Sequence, residues 1–424
     1  MLPALLADAG FAGTLSATRT LGKAGVPVTV VGSYFAPTGW SRYATRTLRS
    51  PPLARLDKFM PWLLELGRAE RHVICPTSDE FLFGIALRRD EVAKYFDVYL
   101  PPLQAVLNVL DKKRLYAHAQ SAGIGVPESY APESVAELER IARGLNRPFL
   151  VKPRTQVLLN THAKGVIVTE PSELVSRYEA FRSANTYGPE IVAACPGAGW
   201  PMLQAYHPDA CHDIFVLSGF YDPERRRAIG MAARKVLQLP RRLGIGVCFE
   251  EADASRDLVD AVGRLCHASG YYGLFQLEFI REGDRLLLID FNPRFYNFLA
   301  LDVARGFELP QLVYDAARGR SADVARRMDA LSGLGGRPNG GPDGKVFCNR
   351  IGLRLLTGTQ RLSGAMTRAD WARWRRWYRQ NEARMVDAAR DPDDPLPGLV
   401  NSAWQVIHHV RHPRSFVRSV VLDG

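Results

Sequence analysis

The sequence predicts a protein of mixed α/β class with two or three packed domains, on three observations. Residues 2–6 and 26–31 are short apolar runs that flank a helical stretch, which is the order of a parallel βαβ unit. Residues 277–279 and 286–291 are two further apolar runs joined by a charged turn, as in an antiparallel hairpin. The chain has 424 residues, of which 46% are hydrophobic and 23% charged, so it can form several ordered cores.

The first unit is predicted in detail from its residue pattern. Residues 2–6 form a strand, Gly10 and Gly13 lie in the following loop, and residues 15–21 form a helix. Residues 26–31 then form a buried parallel strand. The loop glycines lack the Gly-x-Gly-x-x-Gly spacing of a dinucleotide-binding loop. We therefore interpret them as turn glycines and keep phosphate binding as the alternative.

A further strand, residues 73–75, is followed by the polar sequence Pro-Thr-Ser-Asp-Glu at 76–80. Open α/β sheets bind ligands at the carboxyl ends of their strands. Asp79 and Glu80 are therefore candidates for substrate contact. The alternative interpretation is a helix N-cap with two acids in the first turn.

The middle of the chain carries a lysine at the end of a predicted strand. Residues 108–114 lead into a helix, a Gly-Ile-Gly-Val-Pro turn follows at 123–127, and residues 148–152 form an apolar strand that ends in Lys152 before Pro153. Such a lysine presents its ammonium at a fixed place, where it can bind phosphate as a point charge. Considered alone, it would be a solvated surface charge.

The predicted hairpin carries Glu278 on its first strand and Asp290 and Asn292 on its second. Residues two apart on a strand face the same way, so three oxygen ligands share one surface. Such hard ligands favour Mg²⁺ shared with phosphate, and the expected partner is a nucleotide. The alternative is a pair of exposed cross-strand acids with Arg294 as their ion-pair partner.

These segments together resemble the ATP-grasp superfamily over residues 1 to about 320. The N-terminal residues resemble those of the carboxylate-amine ligases related to carbamoyl-phosphate synthetase domains. The motifs that carry the resemblance, in order, are Asp111-Lys112, the turn at 123–127, Val151-Lys152-Pro153, the run Met-Leu-Gln-Ala-Tyr at 202–206, Glu278, and Asp-Phe-Asn-Pro-Arg at 290–294.

The resemblance implies a Rossmann-like parallel α/β domain at 1–105 and an ATP-grasp domain of two α+β subdomains at 106–325, with ATP between the subdomains. It also implies a role for individual residues. Glu278, Asp290 and Asn292 would hold two Mg²⁺ ions, with Mn²⁺ as an alternative, and Arg294 would stabilise an acyl phosphate. The nucleotide contacts would be Lys112 or Lys113, Lys152, Lys235 near the γ-phosphate, the hinge residues Gln204, Tyr206 and His207, and Asp213 at the ribose.

The implied reaction joins a small-molecule carboxylate to an amine. The carboxylate attacks the γ-phosphate of ATP, and the amine then opens the acyl phosphate to form an amide, releasing ADP and phosphate. The chain departs from the family pattern in three places: residues 154–164 contain no glycine, Ala205 replaces an acid at the hinge, and Asp290 replaces a glutamate. Two alternatives stay open. One is an ATP-grasp kinase or carboxylase-like enzyme, and the other is a nucleotide-binding regulatory or membrane-docking protein with a decayed site.

Composition predicts the cellular setting. The six cysteines have no Cys-x-x-Cys spacing, so we expect reduced thiols. His162, His207 and His212 are not at metal-binding spacing. The first residues lack a basic, apolar signal peptide, and no apolar run approaches 18 residues. A cytoplasmic protein is expected. A homo-oligomer stays open.

The C-terminal quarter differs in charge from the rest of the chain. The net charge is +11, and residues 318–424 hold 19 arginines and lysines against 10 acids. Residues 326–345 are predicted to be a flexible linker, because their composition is rich in glycine, and residues 346–424 a basic helical extension. Residues 391–397 are predicted to form an acidic, proline-rich loop that contacts the basic helices.

Two segments of this extension mix aromatic and basic residues. Trp371, Trp374 and Tyr378 share one helical face among arginines, and residues 404–421 repeat the mixture. We expect the aromatic stripe to pack on the core with its arginines in solvent. Peripheral contact with an anionic membrane, at the inner membrane surface, is the alternative. Nucleic acid is the least favoured partner, because no binding motif accompanies the charge.

Overall fold

The structure is a computed structural model and describes residues 1–8, 10–32, 36–161, 164–335, 344–411 and 417. In this part of the chain, no helix combines the length and the apolar character needed to cross a membrane.

The N-terminal region forms the predicted parallel sheet, with strand order β3-β2-β1-β4-β5. Apolar side chains of β1, β2 and β4 are fully buried, as expected for a parallel sheet covered on both faces. The strands are β1 (Ala4–Leu6), β2 (Val28–Gly32), β3 (Arg46–Arg49), β4 (His72–Cys75) and β5 (Phe96–Val98). The helices are α1 (Ala12–Lys23), α2 (Leu56–Ala69), α3 (Asp79–Leu87) and α4 (Arg89–Val92).

Helix α1 begins earlier than the sequence suggested. Gly13 was expected in a loop, but it lies in the first turn of α1. A Cβ atom at this position would lie 2.6 Å from the carbonyl oxygen of Tyr296, so the glycine allows α1 to pack closely against the segment after the hairpin. Strand β2 begins two residues later than predicted, at Val28.

The second region contains a four-stranded antiparallel sheet of order β6-β9-β7-β8. Asp111 separates two consecutive helices and caps the second of them, because its carboxylate accepts a hydrogen bond from the Lys113 N–H. The strands are β6 (Ser129–Tyr130), β7 (Phe149–Lys152), β8 (Val166–Val168) and β9 (Met202–Ala205). The helices are α5 (Leu103–Leu110), α6 (Lys112–Ser121), α7 (Val135–Gly144), α8 (Leu174–Ala184) and α9 (Pro189–Ala194).

A larger antiparallel sheet occupies the centre of the molecule, and its first five strands have the order β14-β13-β10-β11-β12. One face packs on helices α6 and α10 through residues such as Leu277. The other face shares a core with the N-terminal sheet through residues such as Val216. The strands are β10 (Ile214–Asp222), β11 (Arg227–Leu239), β12 (Ile245–Ala252), β13 (Gly273–Glu282) and β14 (Arg285–Asn292). The helices are α10 (Arg256–Ser269), α11 (Leu299–Ala304), α12 (Leu309–Ala317) and α13 (Ser321–Gly335).

The C-terminal residues form the predicted helical extension, and they also add two strands to the central sheet. Strand β15 (Val346–Cys348) pairs with β12, and β16 (Met385–Val386) pairs with β15. The first ten residues of the predicted linker belong to α13, and residues 336–343 lie outside the described part. The remaining helices are α14 (Arg350–Ser363), α15 (Arg368–Asn381) and α16 (Leu396–Arg411).

The first aromatic stripe packs on the core, as we expected. Trp374 of α15 is buried in one cluster with Leu237 and Val247 of the central sheet, and Trp371 and Tyr378 pack at its edge. The arginines between them are exposed. A helix with one apolar face and one charged face is stable in this arrangement, because only the apolar face leaves water.

The acidic loop contacts the N-terminal residues Arg19, Lys23 and Ser41. Asp394 is buried and accepts hydrogen bonds from Arg19 Nε (2.8 Å) and Ser41 Oγ (2.6 Å). Asp391 pairs with Lys23 of α1 at 3.1 Å. The last two residues of the predicted loop begin α16, where a proline in the first turn costs no hydrogen bond.

Candidate functional site

The predicted hairpin is present, and its register brings the candidate metal ligands together. Glu278 of β13 lies directly opposite Asp290 of β14, and Gln276 lies opposite Asn292. Glu278 is also the cross-strand partner of Val216, so it lies on the sheet face that meets the N-terminal domain. Two acids in direct opposition repel each other unless cations compensate them.

Two lysines from distant parts of the chain compensate these carboxylates. Lys235 of β11 lies 2.7 Å from Glu278 Oε2, and Lys112 at the start of α6 lies 2.7 Å from Asp290 Oδ1. Burial by itself would raise the pKa of Asp290, but the nearby lysine charges, above all that of Lys112, lower it to about 2. Asp290 is therefore ionised at neutral pH.

Lys152 lies behind this pair, where β7 meets β9. Its ammonium donates hydrogen bonds to Gln204 Oε1 (2.6 Å) and to the Tyr116 hydroxyl (3.1 Å). The side chain is 6% exposed. Burial, together with the charge of Lys112, lowers the pKa of Lys152 to about 7. This ammonium can therefore lose its proton close to physiological pH.

A buried ion pair holds both phosphate-binding candidates in place. Arg154 follows Lys152 by two residues and contacts Asp111 through Nε (2.9 Å) and a second guanidinium nitrogen (2.5 Å). The Lys112 N–H also donates to the Arg154 carbonyl oxygen at 2.9 Å. Since Asp111 caps α6, this bidentate contact ties the start of α6 to the end of β7. It sets the distance between Lys112 and Lys152.

Arg294 connects the hairpin with the N-terminal domain. Its Nε lies 3.0 Å from Asp79 Oδ1, and another guanidinium nitrogen donates to Asn292 Oδ1 at 3.1 Å. The guanidinium lies over the ring of Phe11 at 5.3 Å from the centroid. The amide nitrogen of Asn292 donates to Gln276 at 2.7 Å, which orients the Asn292 oxygen towards Arg294.

The N-cap interpretation of residues 76–80 is confirmed, and substrate contact stays a prediction. Ser78 caps α3 by accepting a hydrogen bond from the Phe81 N–H, so Asp79 and Glu80 are first-turn acids. The same Asp79 contacts Arg294 at the carboxyl edge of the sheet. Burial raises the pKa of Glu80, and the charge of Asp79 adds to this effect. The first turn of α3 therefore places two acidic side chains, Asp79 and Glu80, near Arg294.

Two of the residues assigned by resemblance have partners elsewhere. Lys113 pairs with Glu133 at 2.6 Å, and both side chains are about half exposed. Asp213 lies 3.6 Å from Arg234 Nε and 3.5 Å from Arg281 Nε. Arg234 precedes Lys235 on β11, so its side chain leaves the opposite face of the sheet. Of the two consecutive lysines, Lys112 is the one that reaches the carboxylates.

The hinge presents main-chain groups rather than an acidic side chain. Ala205 is buried at the end of β9, and the Gln204 amide oxygen already accepts from Lys152. The Tyr206 N–H donates to the Pro148 carbonyl oxygen at 3.1 Å. Partial burial lowers the pKa of His207, so this histidine is mainly neutral at pH 7.

The glycine-poor segment after Lys152 is fixed to the core in its described part. Val157 and Leu158 are buried in a cluster with the N-terminal domain. Lys164 Nζ donates to Gln156 at 2.7 Å, and residues 162–163 lie outside the described part. Apolar packing at these two positions accounts for the absence of glycine between Arg154 and Lys164.

Sequence reasoning missed three residues that orient the site. They are Tyr116, Gln276 and Arg154, the last of which pairs with Asp111. Two of them had a usable signal. Tyr116 lies four residues after Lys112 on one helix, and Gln276 lies two residues before Glu278 on one strand, so each shares a face with a predicted site residue. The Arg154–Asp111 contact joins residues 43 apart and has no such local signal.

The side chains suit a hard cation bound together with a polyanion. In the described residues, no group of three or more His, Cys, Asp and Glu side chains is arranged to hold a metal ion. Two carboxylates and the Asn292 amide oxygen make an incomplete oxygen set, which phosphate oxygens would complete. Lys235 pairs with Glu278, Lys112 with Asp290 and Arg294 with Asp79, so each of these acids has a cationic partner.

Comparison with known proteins adds information on the fold. No family model matches the sequence, and no curated protein matches it. Solved structures do match. The biotin carboxylase domain of 2-oxoglutarate carboxylase from Hydrogenobacter thermophilus, solved with MgADP, ADP and bicarbonate, has a TM-score of 0.58 at 17% identity, covering 75% of this chain and 70% of that one.

Two enzymes with other substrates match equally well. N5-carboxyaminoimidazole synthetase from Staphylococcus aureus has a TM-score of 0.55 at 15% identity, covering 74% of this chain and 77% of that one. L-amino acid ligase from Bacillus licheniformis has a TM-score of 0.54 at 15% identity, covering 74% and 73%. At these identities the likeness concerns the fold. The resemblance predicted from the sequence is thereby confirmed: the chain has the ATP-grasp fold.

Proposed function

We propose that this protein is an ATP-dependent carboxylate-amine ligase. The observation that carries the proposal is the pair of opposed carboxylates, Glu278 and Asp290, each held by a lysine from another strand or helix, in a chain with the ATP-grasp fold. Acids that are paired with lysines are suited to bind a metal-polyphosphate complex, because both partners of each ion pair gain a new counter-ion. Mg²⁺-ATP is the proposed ligand.

Each residue has a definite part in this proposal. Glu278, Asp290 and Asn292 would hold Mg²⁺, or Mn²⁺, which would neutralise the charge of the phosphate groups. Lys112 and Lys235 are released from the carboxylates and bind the phosphate groups. Lys152 binds a phosphate or the base while Gln204 and Tyr116 orient it. The work of this site is positioning and charge neutralisation.

Arg294 is the proposed catalytic residue for acyl transfer. It contacts both Asn292 and Asp79, so it can bind an acyl phosphate that lies between the hairpin and the start of α3. The guanidinium stabilises the oxyanion that forms when the amine attacks the acyl carbon. The amine then replaces phosphate, the C–N bond forms, and the amine proton leaves to solvent or to a neighbouring carboxylate.

The first experiment is calorimetry of ATP binding with and without Mg²⁺. We expect wild-type binding to need Mg²⁺ and to be lost in Lys152→Ala and Asn292→Ala. Lys113→Ala is the matched control, because this lysine is adjacent in sequence to the site but pairs with Glu133 in solvent. Absence of wild-type binding would refute the proposal.

The second experiment tests the reaction with hydroxylamine, which converts an acyl phosphate to a hydroxamate. Carboxylic acids are screened for hydroxamate formation with stoichiometric ADP, and amines are then screened with the active acid. ADP release that needs bicarbonate would favour a carboxylase-like enzyme, and a phosphorylated product without hydroxamate a kinase. Binding without turnover would favour a regulatory protein, an option consistent with Ala205 at the hinge.

We also propose a reducing, cytoplasmic location. The five cysteines whose side chains are described are free and buried: Cys75, Cys195, Cys248, Cys266 and Cys348. Buried free thiols are usual in proteins of reducing compartments. A non-reducing gel compared with a reducing gel checks this.

A further inference from the structure

Helix α16 is oriented with its apolar face towards solvent. Leu396, Leu399, Trp404 and Ile407 are 52%, 65%, 38% and 44% exposed. At 3.6 residues per turn, these positions fall within an arc of about 140° on the helix. A surface helix of a globular protein normally buries such an arc and exposes its polar side.

The polar side of the same helix faces the protein. Asn401, Ser402 and Gln405 lie opposite the apolar arc and are half-buried. Gly398 lies on this inward side, where a Cβ atom would meet the Ala389 carbonyl oxygen at 2.6 Å. The close approach fixes which side of α16 faces the core. The apolar arc is therefore exposed because the opposite side of α16, which carries Gly398, packs against the protein.

The arc is part of a larger apolar surface. Trp40 lies in the turn Pro37–Trp40, against which α16 packs, and is 47% exposed. In the described residues, six of the twelve exposed large apolar side chains are Trp40 or belong to residues 396–417. Such a concentration is typical of an interaction site, whereas scattered single residues are not. We call Trp40, Leu396, Leu399, Trp404 and Ile407 the α16 patch.

We propose that the α16 patch docks the protein on the surface of an anionic lipid bilayer. Charge complementarity favours this partner. Arg42, two residues after Trp40, and Arg390, six residues before Leu396, are both exposed, and so is the acid Asp393. Residues 396–424 contain three arginines, three histidines and a single acid, within a chain of net charge +11.

The chemistry of the patch also fits a bilayer interface. Amphipathic helices that lie in this interface combine tryptophan and leucine on one face with nearby basic residues. Apolar insertion and attraction to anionic headgroups add together, and neither requires a spanning segment. The inference does not depend on the proposed ligase activity.

The experiment is co-sedimentation of the full-length protein with phosphatidylcholine vesicles, with and without phosphatidylglycerol. The variant Leu399→Glu/Ile407→Glu places two acids on the patch. The matched control is Leu362→Glu, which adds one acid at a leucine that is 90% exposed but lies on α14. Thermal melting of each variant shows that it is folded.

We expect wild-type protein to bind the anionic vesicles and not the neutral ones. The double variant should lose at least about tenfold in apparent partitioning, because it replaces apolar insertion by repulsion. The control should bind as wild type does. Trp40→Phe/Trp404→Phe, which removes both tryptophans of the patch, should abolish the blue shift of tryptophan fluorescence that vesicles induce.

Three results would overturn the inference. One is an absence of wild-type binding, and another is equal binding of the double variant. The third is a wild-type dimer in light scattering that the double variant dissociates while no vesicles are bound. This third result would assign the patch to a second copy of the chain.

Discussion

Nucleotide binding should depend on pH through Lys152. The side chain is buried, and its pKa lies at about 7 rather than near its ordinary value of 10.5. Phosphate binds the charged form, so binding favours the protonated lysine and raises its pKa in the complex. The sign follows: affinity is full below pH 7 and falls as pH rises through and above 7.

The size of the effect follows from the fraction of protonated lysine. With a pKa of about 7, roughly 90% of Lys152 is protonated at pH 6 and roughly 1% at pH 9. The apparent Kd scales inversely with the competent fraction, so it should rise by roughly two orders of magnitude between these pH values. The apparent Kd stops rising at a lower pH if the pKa of Lys152 in the complex is below 9.

The assay is calorimetry of ATP binding from pH 6 to pH 9 in excess Mg²⁺. Lys152→Arg is the decisive variant, because a guanidinium remains charged over this range and its profile should be nearly flat. Lys113→Ala should keep the wild-type slope. A flat wild-type profile, or one that Lys152→Arg reproduces, would refute the reasoning.

Three further predictions concern stability, the metal ligands and the thiols. Asp394→Ala should lower the free energy of unfolding by about 3–5 kcal/mol in urea, because it removes the carboxylate that neutralises the buried Arg19 guanidinium at 2.8 Å. Asp391→Ala should lower the free energy of unfolding by about 1 kcal/mol or less, because the pair of Asp391 with Lys23 is partly exposed. Glu278→Gln should weaken Mg²⁺-dependent ATP binding by about tenfold or more in calorimetry, since an amide lacks the charge that holds the cation. Native protein should show at most one thiol that reacts rapidly with a disulfide reagent, and six in urea, because the five described thiols are buried.

The site was largely predictable from sequence where its residues are local to one element. The period of two along β13 and β14 places Glu278, Asp290 and Asn292 on one face, and the hairpin turn sets the pairing. The order of strands and helices at the N-terminus likewise follows from apolar runs and the chirality of parallel connections. Such features depend on neighbours in sequence.

The partners of these residues were decided by the tertiary structure alone. Lys112 and Lys113 are consecutive lysines, and only the packing of α6, with Asp111 held by Arg154, turns Lys112 towards Asp290. The contact of Arg294 with Asp79 joins two domains. Local propensity carries no information on such pairs, because their free energy depends on which surfaces meet.

The C-terminal residues show the same division. Their composition predicted basic helices with apolar faces. Helices α14, α15 and α16 are present, and residues 412–416 and 418–424 of the second basic segment lie outside the described part. Whether a face is buried depends on the surface available to it: α15 covers the edge of the central sheet, whereas α16 is held by the buried Asp394–Arg19 pair and by Gly398 with its apolar side outward. Sequence determined the amphipathic pattern, and tertiary packing decided which side meets solvent.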